Sequence, residues 1–281
     1  MRKKRQFAEI GVGGGVGSGV DGGVDGGVAS AGFTRRSWLA GVAGSSIAIW
    51  PAVAWADRYG PRGGTRILVI GDSMIAGGLG LYLARALGEE DGYDVTREGK
   101  TSSGLARPDF FDWKRRARDL VGDRPFDATV IMFGGNDAQS IKNRGAGWIR
   151  WSDEQWPREY AQRVVNLSDI VAPDLQQIFW VGMPMMRPPT LGERVKRVNT
   201  IFRAEMAIRR NAEFIDIWSL LAGEDGEYAD RIRLVPEDGE APRKKKVQVR
   251  ARDGIHLTVA GAHYVAAYVR RRIHARLSTA S

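Results

Sequence analysis

Residues 66–74 read RILVIGDSM. The uninterrupted aliphatic run Ile67 to Ile70, closed by Gly71, has the pattern of a strand buried on both faces. It runs out onto an acid and a hydroxyl, Asp72 and Ser73. Two readings of that ending compete: a turn that caps the next helix, or a nucleophile at the rim of a sheet. Four more segments read as strands: YDVTRE (93–98), ATVIMFG (128–134), QIFWVGM (177–183) and EFIDIW (213–218). The first of these is the most polar and suits a sheet edge. Residues 75–88, 109–120, 156–171 and 190–209 carry the helical period, the last with Leu191, Val195, Val198, Phe202 and Met206 on one face. This alternation predicts an α/β fold, a mainly parallel five-stranded sheet inside three α/β/α layers.

A final helix starts near Thr258, a good N-cap, and turns Ala262, Val265, Ala266, Val269 and Ile273 inward. Arg270 to Arg272 then fall on its wet face. Before that helix RIRLV (231–235) and KVQVR (246–250), separated by a turn-rich segment, predict a small β-ribbon insertion. No repeat at solenoid periods is present, so residues 64–281 read as one domain. Ligands of open α/β sheets lie beyond the carboxyl ends of the strands. Those ends are where chemistry should be sought.

Composition narrows the chemistry. With 43% hydrophobic and 27% charged residues, the 281-residue chain is of the folded, soluble type. It has no cysteine, which removes disulfides, thiolate catalysis and Cys-ligated zinc together. Three histidines, His256, His263 and His274, argue against a His-rich metal site and leave few general bases. No cofactor and no metal are expected. The net charge of +9 raises nucleic acid as a partner, but the basic residues are scattered. Only Arg243–Lys246 and Arg270–Arg272 cluster, and neither is interleaved with stacking aromatics. A solvated basic surface is the preferred reading, with no nucleic-acid partner.

The N-terminal region reads as an address. Residues 1–33 form a Gly-rich extension with too little side-chain volume for a core, and it is expected to be disordered. No strand precedes its glycines and no Lys-Ser/Thr pair follows them, so they do not make a phosphate loop. Residues 34–56 then pair Arg35 and Arg36 with an apolar stretch from Trp38 to Trp50 and the small residues of Ala54-Trp55-Ala56. That is the form of a twin-arginine export signal cleaved after Ala56. A retained anchor, which would associate the protein with a membrane, is the competing reading. Its apolar part is short of the roughly 20 residues that span a bilayer. Cleavage takes six of the 42 basic and three of the 33 acidic residues, leaving +6. The expected location is periplasmic or extracellular.

Three strand ends carry reactive side chains: Asp72-Ser73, then Gly134-Gly135-Asn136-Asp137, then Asp253-Gly254-Ile255-His256. Singly each is ordinary cap or turn chemistry. Jointly they supply a hydroxyl, an amide donor, an imidazole and a carboxylate in a fold that gathers strand ends. These blocks resemble those of the SGNH hydrolases, the GDSL-type esterase superfamily. Ser73 in GDSM matches the first block, Gly104 in SSGLARPDF the second, Asn136 in GGND the third, and Asp253 with His256 in DGIH the last. The stretches SSGLARPDFFDW, GGND, WVGMP and DGIHLTVAGAHY are similar to an exported bacterial branch once catalogued as a domain of unknown function. The likeness spans about residues 65–275. Met74 replaces the usual Leu, a volume-conserving change. The second block is loose, with Gly99 or Ser103 as substitutes for Gly104.

The resemblance implies a flavodoxin-like SGNH fold and a Ser-His-Asp triad of Ser73, His256 and Asp253. It also implies an oxyanion hole from the backbone N–H groups of Ser73 and Gly104 and the Asn136 amide. Such a set needs no cofactor: the imidazole takes the serine proton, the acid fixes its tautomer, and preset donors hold the developing charge. The elbow G-x-S-x-G is absent around Ser73, which argues against the α/β-hydrolase fold. Asp72 and Asp137 are rival acids. Loop stabilisation is the preferred reading for both, because neither has a histidine in register.

Trp148, Trp151 and Trp156 crowd the segment between Asn136 and Tyr160. They could stack on sugar rings as a substrate-binding surface, or pack a loop onto a helix. The function expected is an exported serine esterase that hydrolyses or transfers small acyl groups, O-acetyl above all. Its expected partner is an acyl ester substrate, with a cell-envelope polysaccharide as the candidate carrier. The competing class is a non-catalytic envelope glycan-binding or assembly protein that keeps the fold.

Overall fold

The computed structural model describes residues 64–143, 145, 147–235 and 244–278. The Gly-rich extension, the twin-arginine segment and the centre of the ribbon loop lie outside the described residues. In chain order the elements are β1 (Arg66–Gly71), α1 (Ser73–Ala76), α2 (Gly78–Arg85), β2 (Asp94–Gly99), α3 (Trp113–Val121), β3 (Ala128–Met132), β4 (Ile141–Asn143) and β5 (Gly147–Ile149). Then follow α4 (Trp156–Val171), β6 (Gln177–Val181), α5 (Pro189–Ala207), β7 (Ala212–Ile215), β8 (Arg231–Ile232), β9 (Val247–Gln248) and α6 (Val259–Ser278).

Five strands form one all-parallel sheet in the order β2-β1-β3-β6-β7, the doubly wound order of flavodoxin-like folds. The polar β2 is an edge strand. Strand pleating sends Ile67 and Val69 to one face, against α2, the final helix and the start of α5. Leu68 and Ile70 go to the other face, against α3, α4 and the rest of α5. All four side chains are fully buried. On α6 the inward stripe Ala262, Val265, Ala266, Val269 and Ile273 is buried, and Thr258 Oγ1 accepts the Gly261 N–H at 3.2 Å. Arg270 and Arg272 on the same helix form ion pairs with Asp91 and Glu213.

The chain after β1 departs from the single helix expected over 75–88. Helix begins at Ser73, breaks at the extended Gly77, resumes as α2, and ends in a π-helical turn, Ala86–Glu90. Paired glycines at Gly77 and Gly78 cost a continuous helix too much backbone entropy. The third helix starts at Trp113 rather than 109, because Asp112 caps it by accepting the Arg115 N–H at 3.1 Å. The ribbon is shorter than expected, two residues a side, Arg231–Ile232 against Val247–Gln248. One hairpin, β4–β5, went unread in the sequence; it pairs Ile141 with Ile149 and Asn143 with Gly147. In the sheet Gly71 lies level with Met132 of β3. Ser73 and Asn136 therefore emerge at the same end, at the point where the chain has wound outward in both directions.

Candidate active site

Beyond β1, Asp72 does the local folding work. Its Oδ1 accepts the Met74 N–H at 3.0 Å, and its own N–H donates to Met132 O at 3.2 Å, pinning the turn to β3. Ser73 is the first residue of α1, where a backbone N–H has no helical acceptor. Ser73 Oγ lies 2.8 Å from Nε2 of His256, 183 residues further along the chain. The other ring nitrogen, Nδ1, lies 2.7 Å from Asp253 Oδ2.

The loop that carries the imidazole is shaped by its own acid. Asp253 Oδ1 accepts the N–H groups of Ile255 at 2.8 Å and His256 at 2.9 Å, which leaves Oδ2 to face the ring. Gly254 has φ +71°, and a Cβ there would strike Arg187, so both conformation and space call for glycine. Partial burial works against the Asp253 charge, but the ring bond and the two N–H donors outweigh it and hold the carboxyl down at about 2. Beneath the loop sits Arg250, 1% exposed. Its Nη2 donates to the carbonyls of Met185 at 2.8 Å, Ile255 at 2.9 Å and Gly254 at 3.2 Å. Sequence reasoning missed this brace, since an arginine in a polar ribbon is indistinguishable from a solvated one.

Asn136 Nδ2 donates one hydrogen to Ser103 O at 3.0 Å, and an amide nitrogen has a second to give. That bond joins the third block to the second. Asp137 completes the joint. Fully buried, it accepts the Ala106 N–H at 2.7 Å on Oδ1 and the Tyr160 hydroxyl at 2.7 Å on Oδ2. A Cβ at Gly104 would overlap this carboxylate, so the close approach needs a glycine there. Gly99 is instead the last pairing residue of β2. Ser103 is spent on structure, its Oγ donating to Lys100 O at 2.6 Å and accepting from Trp113 Nε1 at 2.9 Å.

Asp72 and Asp137 thus hold backbone, and neither bonds a histidine. Burial pushes both carboxyls up, Asp72 to about 7 and Asp137 to about 6, against the pull of the N–H groups they accept. The nearby Asp137 raises Asp72 further. His263 stacks on Tyr82 at 3.6 Å between ring centroids, and His274 meets Tyr93, so both belong to the α6 flank. Among the described residues no group of three or more His, Asp or Glu is placed to hold a metal.

The tryptophans divide, and the sugar-stacking expectation is corrected for one of them. Trp156 is fully buried, stacks on Tyr160 and donates Nε1 to Gln139 O at 2.7 Å, so no ligand can reach its face. Its place in the first turn of α4, over the sheet, gives the apolar ring more by burial than exposure could. Trp151 is half-buried against Trp156, with Arg194 and Arg197 over its ring. Trp148 alone is 50% exposed, on β5, beside Arg107 and Lys142.

The family described as protein of unknown function (DUF459) matches residues 66–272, well over half of the chain and every block just described. The chain belongs to this family. Residues of this DUF459 domain also share their fold with solved structures at low identity. A Streptococcus pneumonia protein assigned as a platelet activating factor is 15% identical over 74% of this chain and 84% of its own, with a TM-score of 0.50. An alpha/beta hydrolase enzyme from the metagenome of Lake Arreo, Spain, is 17% identical over 73% and 93%, at 0.49. A catalytic mutant of an acetylxylan esterase from Geobacillus stearothermophilus is 17% identical over 75% and 94%, at 0.48. No curated protein matches the chain. The doubly wound α/β sheet is the fold expected from the four blocks, and it is the fold shared with the solved structures.

Proposed function

We propose that this DUF459 domain is an exported serine esterase that removes, or passes on, small acyl groups, O-acetyl on a cell-envelope glycan in particular. The reading rests on one observation: the unbroken relay from Ser73 Oγ through the His256 ring to Asp253, at 2.8 and 2.7 Å. Ser73 Oγ attacks the ester carbonyl carbon while its proton passes to His256 Nε2. The carbonyl π pair moves onto oxygen, and that charge is held by the Ser73 and Gly104 N–H groups and the second Asn136 amide hydrogen. Collapse breaks the bond to the alcohol oxygen, which leaves with the proton from Nε2. Water, or a sugar hydroxyl, then gives a proton to Nε2 and attacks the acyl-serine by the same steps in reverse. Asp253 stays ionised throughout and holds Nδ1–H, so that Nε2 is the basic nitrogen. The side chains of His256 and Asp253 are 43% and 45% exposed, open to a bulky alcohol partner. The export part of the reading is supported by the paired arginines, Arg35 and Arg36, ahead of an apolar stretch.

The test is a comparison of purified protein with its Ser73→Ala variant on an activated acetyl ester, together with mass spectrometry after a serine-directed fluorophosphonate. A Ser73-dependent rate and a single adduct on Ser73 are expected. Equal rates, or labelling elsewhere, would overturn the esterase reading and leave a binding protein built on the same fold.

A further inference from the structure

A cleft of about 390 Å³ opens between α3 and α4, on the face of the sheet away from α6, with Gly104 and Leu105 at one end. Its size falls at the small-ligand end of protein binding sites, about 300–1,000 Å³. Apolar side chains seal the two helices lower down, Trp113, Ala117 and Val121 on one and Val164 and Leu167 on the other. Above that seal the walls are polar. Lys114 and Arg118, four residues apart on α3, line the same side. Neither has a carboxylate partner among the described residues.

Two carboxylates line the cleft, and both are engaged: at the head of α3, Asp112 Oδ1 accepts the Arg115 N–H at 3.1 Å. Glu159 lines the cleft from α4 but binds Arg163 Nε at 2.9 Å on its own helix. Arg163 in turn takes up oxygens of two lining residues, Leu105 O at 2.7 Å and Asn143 Oδ1 at 2.6 Å, and Lys142 O at 3.1 Å. Asn166 Oδ1 receives Gln162 at 3.4 Å. Asn143 and Asn166 can each offer the cleft amide hydrogens as donors. With both carboxylates engaged, the cleft keeps an excess of cationic donors, an ammonium and a guanidinium, with two carboxamides and the ring of Phe111 beside them. The complementary ligand is rich in acceptors, negatively charged, and carries C–H surface for an aromatic edge. A hydroxylated ring with a carboxylate meets each requirement.

We propose that the α3–α4 cleft is a subsite for an acidic saccharide, a uronate-bearing unit of the same chain whose ester reaches Ser73. Gly104 belongs to the cleft wall and to the segment that Asn136 and Asp137 hold in place, which links the cleft to the oxyanion donors. The substrate role rests on the esterase reading; the binding does not. Calorimetry on the Ser73→Ala protein with a hexuronate oligomer, a neutral oligomer of the same length and inorganic phosphate would test it. Binding of the uronate alone is expected, weakened about tenfold or more in a Lys114→Ala/Arg118→Ala variant, as loss of charged hydrogen bonds implies. With Ser73 intact, the same double variant should cleave a small acetyl ester at the unaltered rate. Equal binding of the neutral oligomer, phosphate binding as tight as the uronate, or full affinity in the double variant would overturn the proposal. Failure of the esterase reading would look different: uronate binding intact, with no Ser73-dependent hydrolysis.

Discussion

Replacing Asp72 by Asn should stabilise the protein, and by an amount that grows with pH. Asp72 is 1% exposed, and burial lifts its carboxyl from 3.8 to about 7. Between those values the folded chain keeps a proton that the unfolded chain has released, so this group favours folding at low pH. That advantage is lost as pH rises through the folded value. At 1.36 kcal/mol per unit, the cost of ionising Asp72 in place is about 4 kcal/mol at about pH 8. At about pH 5 the linkage integral gives only about 2 kcal/mol. Asparagine reproduces the protonated form, keeps an oxygen for the Met74 N–H, and carries no charge to desolvate. Urea denaturation of both proteins should therefore show the variant's advantage widening by about 2 kcal/mol from about pH 5 to about pH 8. Esterase activity should stay within about tenfold of the parent, since Asp72 touches neither His256 nor the Ser73 hydroxyl. A pH-independent difference would refute the desolvation argument, and loss of activity on the scale of a triad knockout would refute the cap assignment.

Asp253→Asn should lower kcat by about 10⁴ with little change in KM, because an amide facing Nδ1 favours the tautomer whose Nε2 already carries a proton; steady-state kinetics on an acetyl ester check it. Asn136→Ala should cost about 10²–10³ in kcat through loss of one oxyanion donor, and about 1 kcal/mol of stability through loss of the bond to Ser103 O. Gly104→Ala should destabilise by about 1–3 kcal/mol, since its Cβ must push the segment off the buried Asp137 carboxylate; denaturant melts read the loss. Trp156→Ala should cost about 3–5 kcal/mol, whereas Trp148→Ala, half exposed, should stay within about 0.5 kcal/mol in the same melts.

Elements whose cause is local were legible in the sequence. The aliphatic run Ile67–Ile70 and its counterparts at 128 and 177 had to be buried strands, because nothing else shelters such side chains over so few residues. The α6 stripe followed from its period alone. Helix and strand limits shifted where single side chains decided, as with Asp112 capping α3 and the glycine pair parting α1 from α2. The β4–β5 hairpin left a signal in its glycines, Gly145 and Gly147, and went unread because its strands have only three residues each.

The sequence by itself determined which groups can do chemistry and that strand ends would gather them. The blocks are short, and the pairing of Asp253 with His256 is closed within one turn of chain. Only the tertiary structure decided what lies between distant blocks. Ser73 meets His256 across 183 residues because two sheet neighbours and a final helix fix the distance. Asp137 was free to be acid or brace until the Gly104 segment folded over it. Trp156 and Trp148 read alike until packing hid one and exposed the other. Arg250 and the α3–α4 cleft left no pattern to find, for burial and unspent hydrogen-bonding capacity belong to the assembled surroundings of a side chain and not to its place in the chain.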